Sequence, residues 1–143
     1  MARQEATTVV AVSLDAVEAR LTDVSRWPEF VTGLESVEPA GFERYRFTVA
    51  ARGRRRTLHV CVVPHPAEHR ISWRALEGPR YVGELRLRAV DDRHTRIDLT
   101  MTIDPEGLMD GLREIVGGEP MAELTIQHID AFVSRAPQSD PAE

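Results

Sequence analysis

Four side chains in this 143-residue chain could move a proton or polarise a carbonyl from a largely apolar setting: Tyr45, His59, Arg74 and His128. His59 and Cys61 share one face of a strand, as a base and a nucleophile would. At i, i+2 spacing their Cα atoms stand about 7 Å apart. No third group is evident to orient the base, so a histidine and a small apolar residue filling one sheet face is the simpler reading. The inward phase of this strand stays open, because Leu58, Val60 and Val62 make its other face apolar too. His65 and His69, in HPAEH, have the spacing of a helical metal pair. Pro66 places them in a loop between strands, and a catalytic zinc needs a third protein ligand, so no metal is expected. His128 falls about 100° from the centre of its helix's apolar face. From that margin it either reaches a cavity mouth as a general acid or base, or stands partly exposed and inert. Glu77, Asp98, Asp104 and Glu106 read as turn, wet-face or cap residues and form no carboxylate pair.

RGRRR at 52–56 is the densest charge cluster. A solvated hairpin tip is its plain reading. The alternative is contact with a phosphate, a lipid headgroup or an acidic carrier protein, which arginine forks suit.

Composition bounds what these residues can serve. With 42% hydrophobic and 29% charged residues, the chain suits one domain around one core. The boundaries expected are 1–136 for the domain and 137–143 for a flexible polar tail. Cys61 is the single cysteine, which excludes an internal disulfide framework. All 18 basic residues are arginine, yet the net charge is -5, which argues against a nucleic-acid binder. No run approaches the length of a membrane span, and MARQEATTVV lacks the apolar core of a signal peptide. A cytoplasmic monomer or homodimer without a cofactor is the expectation.

The elements follow from hydrophobic period. Residues 7–13 (TTVVAVS) read as a strand, and LDAVEARL as a helix capped by Ser13 or Asp15. Ser25 is the expected cap of a second short helix, with Pro28 in its first turn and Gly33 after its end. From Leu34 to Asp104 turn signals recur between alternating segments. Tyr45, Phe47, Trp73, Leu85, Leu87, Leu99 and Met101 point to one side, taken as inward. A helix over 105–116 stops at Gly117-Gly118, where the helical stretch is kinked or divided. Pro120 then opens MAELTIQHIDAFVSR, whose apolar face carries Ala122, Thr125, Ile126, Ile129, Phe132 and Val133.

DVSRWPEF, LESVEP, RISWRALEG and DDRHTRIDLTMTIDPEG, in that order, resemble the START-like (SRPBCC, helix-grip) superfamily. Within it the chain is similar to the polyketide cyclase/dehydrase and coenzyme Q-binding protein branch, from about Thr7 to Val133. The resemblance implies an α+β helix-grip fold: a curved antiparallel sheet of about seven strands wrapped round a long C-terminal helix. It also implies a hydrophobic cavity between the two. Lining such a cavity fall Trp27, Phe30, Tyr45, Phe47, Trp73, Tyr81, Leu85, Leu87, Leu99, Met101, Ile129 and Phe132. Cyclases of the branch commonly carry a Trp and a Ser-Arg-Arg pattern on the strand that here reads RRRTLHVCVV, where the arginines come first and the Trp is absent.

The first functional expectation is therefore binding or carriage of a small hydrophobic or aromatic molecule, such as a lipid, isoprenoid quinone or polyketide. The alternative is a cyclase/dehydratase in which Tyr45, His59, Arg74 or His128 assists enolisation. The third is a module that holds a protein partner through the sheet edge or the arginine hairpin.

Overall fold

The computed structural model describes residues 2–31, 33–51, 54–76, 81–103 and 121–139. Strand β1 (Ala2–Val10) leads to helix α1 (Leu14–Leu21) and a 3₁₀ helix (Val24–Glu29). Strands β2 (Leu34–Gly41), β3 (Arg44–Ala51) and β4 (Arg54–His65) follow, then a one-turn 3₁₀ piece (Pro66–Glu68). Strands β5 (Arg70–Ala75), β6 (Tyr81–Asp91) and β7 (His94–Ile103) precede helix α2 (Met121–Ser139). The sheet order is β1-β7-β6-β5-β4-β3-β2 with every pair antiparallel, so β2 to β7 form a meander and β1 adds to its far edge. Register shifts in the β2–β3 and β6–β7 pairs mark bulges, which sharpen the twist that curves a sheet. This is the helix-grip architecture.

One face of the sheet is dry. On β6, Tyr81, Gly83, Leu85 and Leu87 are buried while Val82, Arg86 and Arg88 are exposed. On β4, Leu58, Val60 and Val62 are buried, which decides the phase that apolar residues on both faces had left open. His59 therefore stands exposed on the outer face, and Cys61 is only partly covered there.

Of the two caps expected for α1, Ser13 holds the position, its Oγ accepting from the Ala16 N–H at 3.4 Å, while Asp15 lies in the first turn. Ser25 does not cap the next helix. Asp23 holds that position without capping a backbone N–H, and its Oδ1 accepts from the Ser25 hydroxyl at 2.6 Å. The 3₁₀ helix starts at Val24, so Ser25 lies inside its first turn and not before it.

Strand β1 corrects the expected start at Thr7: it begins at Ala2. Residues 2–6 (ARQEA) have little strand propensity, and the exposed edge of β7 supplies their partners, from Ala2 opposite Ile103 onward. The added length carries α2. Gln4 Oε1 accepts from the Ala122 N–H at 2.7 Å, and the Thr8 hydroxyl donates to Asp130 Oδ2 at 2.8 Å. Helix α2 buries the six residues expected of its apolar face. It also runs to Ser139, past the boundary expected at 136. Proline 137 has no N–H for the Val133 carbonyl, and Arg20 Nη1 donates to that carbonyl instead, at 3.2 Å. The helix expected over 105–116 and the break at 117–120 lie outside the described residues. Among the described residues no helix is long and apolar enough to cross a membrane.

Candidate ligand-binding site

The inner face of the grip is organised round Trp27. The WPEF segment forms the end of the 3₁₀ helix, and Trp27 Nε1 donates to the Leu21 carbonyl at 2.9 Å, locking that helix to the end of α1. The Trp27 ring then lies 5.3 Å from Trp73 and 6.1 Å from both Phe47 and Phe30, in tilted or edge-on contacts. Phe30 passes the contact on to Phe132 of α2 at 5.0 Å. Sheet, 3₁₀ helix and α2 thus meet through five aromatic rings.

Three residues give this interior its polar character. Tyr81 is buried, and burial pushes its phenol up to about 12; the neighbouring Trp73 indole N–H opposes the shift but falls short of hydrogen-bond geometry. Trp73 Nε1 and Thr125 Oγ1 are buried without a hydrogen-bond partner among the described residues. Thr125 appeared in the sequence only as one member of an apolar helix face; nothing local marks its hydroxyl as unsatisfied.

Among the described residues, two clefts open at the rim. One, of about 440 Å³, lies between α2 and the start of β2 and is lined by Phe30, Val31, Leu34, Ala50 and the exposed His128. Its carboxylates are held in place: Arg26 Nε meets Glu29 Oε2 at 2.8 Å, and Arg55 Nε meets Glu35 Oε1 at 2.6 Å. Each guanidinium holds its carboxyl below the usual carboxylate range through those hydrogen bonds. The Arg26 guanidinium also lies 4.9 Å from the centre of the Phe132 ring, so charge and aromatic wall meet at this mouth. The second cleft, of about 410 Å³, is lined by Val24, Phe42, Tyr45, Val62 and Ile71. Phe42 stands 87% exposed beside it, on a β2–β3 turn where Glu43 adopts a left-handed φ of 58°.

Of the residues the sequence proposed for ligand contact, eleven face the interior and are buried: Trp27, Phe30, Phe47, Trp73, Tyr81, Leu85, Leu87, Leu99, Met101, Ile129 and Phe132. Tyr45 is half-buried at the rim. The four proton-moving candidates are not brought together. Tyr45 and His128 line different inner clefts, while His59 and Arg74 lie exposed on the outer face, His59 beside Arg44 and Leu76 in a shallow 250 Å³ depression. Antiparallel pairing explains Arg74: it is the partner of Cys61 and Val82, both outward, whereas its neighbour Trp73 pairs with inward Val62 and Gly83.

His65 and His69 do not converge either. His65 Nε2 meets the Ser72 hydroxyl at 3.0 Å, and His69 Nδ1 meets Glu18 Oε1 at 2.9 Å, tying the β4–β5 turn to α1. In the arginine hairpin, residues 52 and 53 lie outside the described residues, and Arg55 is committed to Glu35.

This geometry has counterparts. The Zhui aromatase/cyclase from Streptomyces sp. R1128 superposes with a TM-score of 0.77 at 23% identity over 99% of both chains. A START superfamily protein from Mycobacterium smegmatis gives 0.74 at 13% identity, over 94% of this chain and 98% of that one. The di-domain ARO/CYC BexL from the BE-7585A biosynthetic pathway gives 0.65 at 19% identity, with 99% of this chain covering 48% of it. These likenesses establish the fold. No curated protein matches the chain. The family described as polyketide cyclase/dehydrase and lipid transport matches residues 1–135, and the chain belongs to that family.

Proposed function

We propose that this protein binds and carries a small hydrophobic molecule between the inner face of the sheet and α2. The observation that carries the reading is the aromatic wall formed by Trp27, Phe30, Phe47, Trp73 and Phe132, with clefts of mixed polar and apolar lining at its rim. Apolar surface of this kind gains most from a guest that also leaves water. The scattering of Tyr45, His59, Arg74 and His128 favours a carrier over an enzyme, because acid–base chemistry needs its groups within reach of one substrate atom. Native mass spectrometry of the protein from its own host, followed by organic extraction, tests the reading. A discrete hydrophobic adduct at near-stoichiometric occupancy is expected, and a bare mass counts against carriage.

A cyclase/dehydratase is the second reading. It is favoured by the position of His128 in the cleft beside Phe30 and by the likeness to an aromatase/cyclase along the whole chain. Catalysis there would draw on orientation of a bound chain, with His128 moving the proton. On this reading His128→Ala lowers turnover of the extracted molecule by more than about tenfold while leaving its binding intact.

A further inference from the structure

The outer face of the sheet is rich in arginine, and most of that charge is neutralised. Arg3, Arg46, Arg55, Arg70, Arg86 and Arg96 each meet a carboxylate. Arg44 and Arg74 are exposed and have neither an ion pair nor a hydrogen bond among the described residues. Outward carboxylates on the flanking strands are already taken, Glu38 by Arg46 and Glu84 by Arg70 and Arg86.

The strand register brings these two guanidiniums to one place. Cys61 on β4 is the direct partner of Arg44 on β3 and of Arg74 on β5. Residues in one cross-strand row share a face, so the two arginines flank a small, partly covered side chain. At two strand spacings their Cα atoms stand about 10 Å apart, a gap that two extended arginine side chains close over one shared anion. The other unpaired sheet arginines among the described residues lack such a companion. Arg88 stands opposite Arg96, which Asp98 holds, and Arg56 stands opposite Val49.

Beside this row lies the shallow depression of about 250 Å³ lined by Ala40, Arg44, His59 and Leu76. The register of β2 against β3 slips between Pro39 and Gly41, and a bulge there re-aims the edge of the sheet. Leu76, 36% exposed, gives the depression an apolar wall next to the Arg44 charge. A short organic group fits that wall while an anion attached to it sits over Cys61.

Charge and geometry narrow the anion. A phosphate monoester carries roughly -1.5 to -2 charges at neutral pH and three acceptor oxygens, so it can offer an edge to each of two guanidinium forks. A carboxylate has one charge and two oxygens, enough for a single fork. The net charge of -5 and the nearby Glu38 and Glu84 oppose approach to an anionic bilayer, which favours a free ester over a lipid headgroup.

We infer that Arg44 and Arg74 form a binding site for a soluble phosphate monoester, with the phosphate between the two guanidiniums over Cys61 and the organic group in the depression beside Leu76. The site lies on the opposite face of the sheet from the proposed hydrophobic guest and does not depend on it. Titration calorimetry at low ionic strength with phenyl phosphate and the similarly shaped phenylacetate tests the assignment. Phenyl phosphate should bind one to one, and phenylacetate at least about tenfold more weakly. Arg44→Gln and Arg74→Gln should each weaken phenyl phosphate about tenfold or more, with melting temperatures unchanged because both side chains are exposed. Arg88→Gln removes the same charge from the same face, two strands from Cys61, and should stay within about twofold of wild type. No saturable binding of phenyl phosphate, equal affinity for the two probes, or equal loss from all three substitutions overturns the site. Sedimentation with phosphatidate-doped vesicles should leave the protein in the supernatant; pelleting that Arg44→Gln abolishes overturns the free ester in favour of a lipid headgroup.

Discussion

Trp73 occupies the space that a side chain at Gly83 would need. The two are cross-strand partners on β5 and β6, and a Cβ on Gly83 would stand 2.0 Å from the indole Cζ2 and 2.2 Å from Cε2. Glycine is required here for close approach, with no demand on φ. The ring that fills the gap is the same one that meets Trp27 at 5.3 Å, so one missing side chain sets the position of the aromatic wall.

Gly83→Ala should therefore cost about 1–3 kcal/mol, since neither the indole nor the strand can yield without strain. Urea denaturation measures the loss. Trp73→Leu in the same chain should recover part of it, and a strictly additive double variant would argue against the contact.

Two side chains of β1 hold α2 to the sheet. Gln4→Ala removes the acceptor for the Ala122 N–H and should cost about 1 kcal/mol, as loss of a helix cap does. Thr8→Val, which breaks the bond to Asp130, should cost a similar ~1 kcal/mol. Amide exchange should quicken in the first turns of α2 for the Gln4 variant. Arg3→Ala, which disturbs only an exposed pair with Glu5, should leave that exchange unchanged.

Trp27 both hydrogen-bonds Leu21 and touches three other rings. Trp27→Phe should cost about 2–4 kcal/mol, combining a lost buried bond with a packing defect. A thermal shift indistinguishable from wild type would place the hub elsewhere.

Alkaline pH offers a separate handle. The folded protein keeps the Tyr81 phenol neutral up to about 12, above its ordinary value of 10. A raised folded value means that this contribution to stability is complete below pH 10 and is lost as pH rises through about 12. Tyr81→Phe should flatten that alkaline limb in a series of denaturation curves. Phenolate absorbance in a Tyr45→Phe background should report the late ionisation directly, or its release on unfolding.

Outer-face residues supply the negative control. His59→Ala and Arg74→Ala should leave affinity for the extracted ligand within about twofold, whereas Phe30→Ala should weaken it at least tenfold or so. Comparable losses from all three would move the site off the inner face.

Much of this fold is legible along the chain. In β6 and β7 the alternation of apolar and polar residues is clean because one face meets the core and the other meets water, so period alone reports orientation. The apolar face of α2 is readable for the same reason, and Ser13 announces α1 by its own chemistry. Tertiary structure decided the rest. Strand β4 is apolar on both faces, and its direction was settled only by pairing, with Leu58 opposite Phe47 and Val62 opposite Trp73. That choice turned His59 outward and dispersed the residues that composition suggested for catalysis. Strand β1 begins where it does because β7 offers an edge, and Gln4 gains its purpose only when Ala122 arrives above it. Thr125 is one more residue on an apolar stripe until the sheet folds over it and leaves its hydroxyl without a hydrogen-bond partner among the described residues. Local period records which residues avoid water. Which of them meet, and which polar groups stay unsatisfied among them, depends on contacts between segments far apart in the chain, and no short window of sequence contains those.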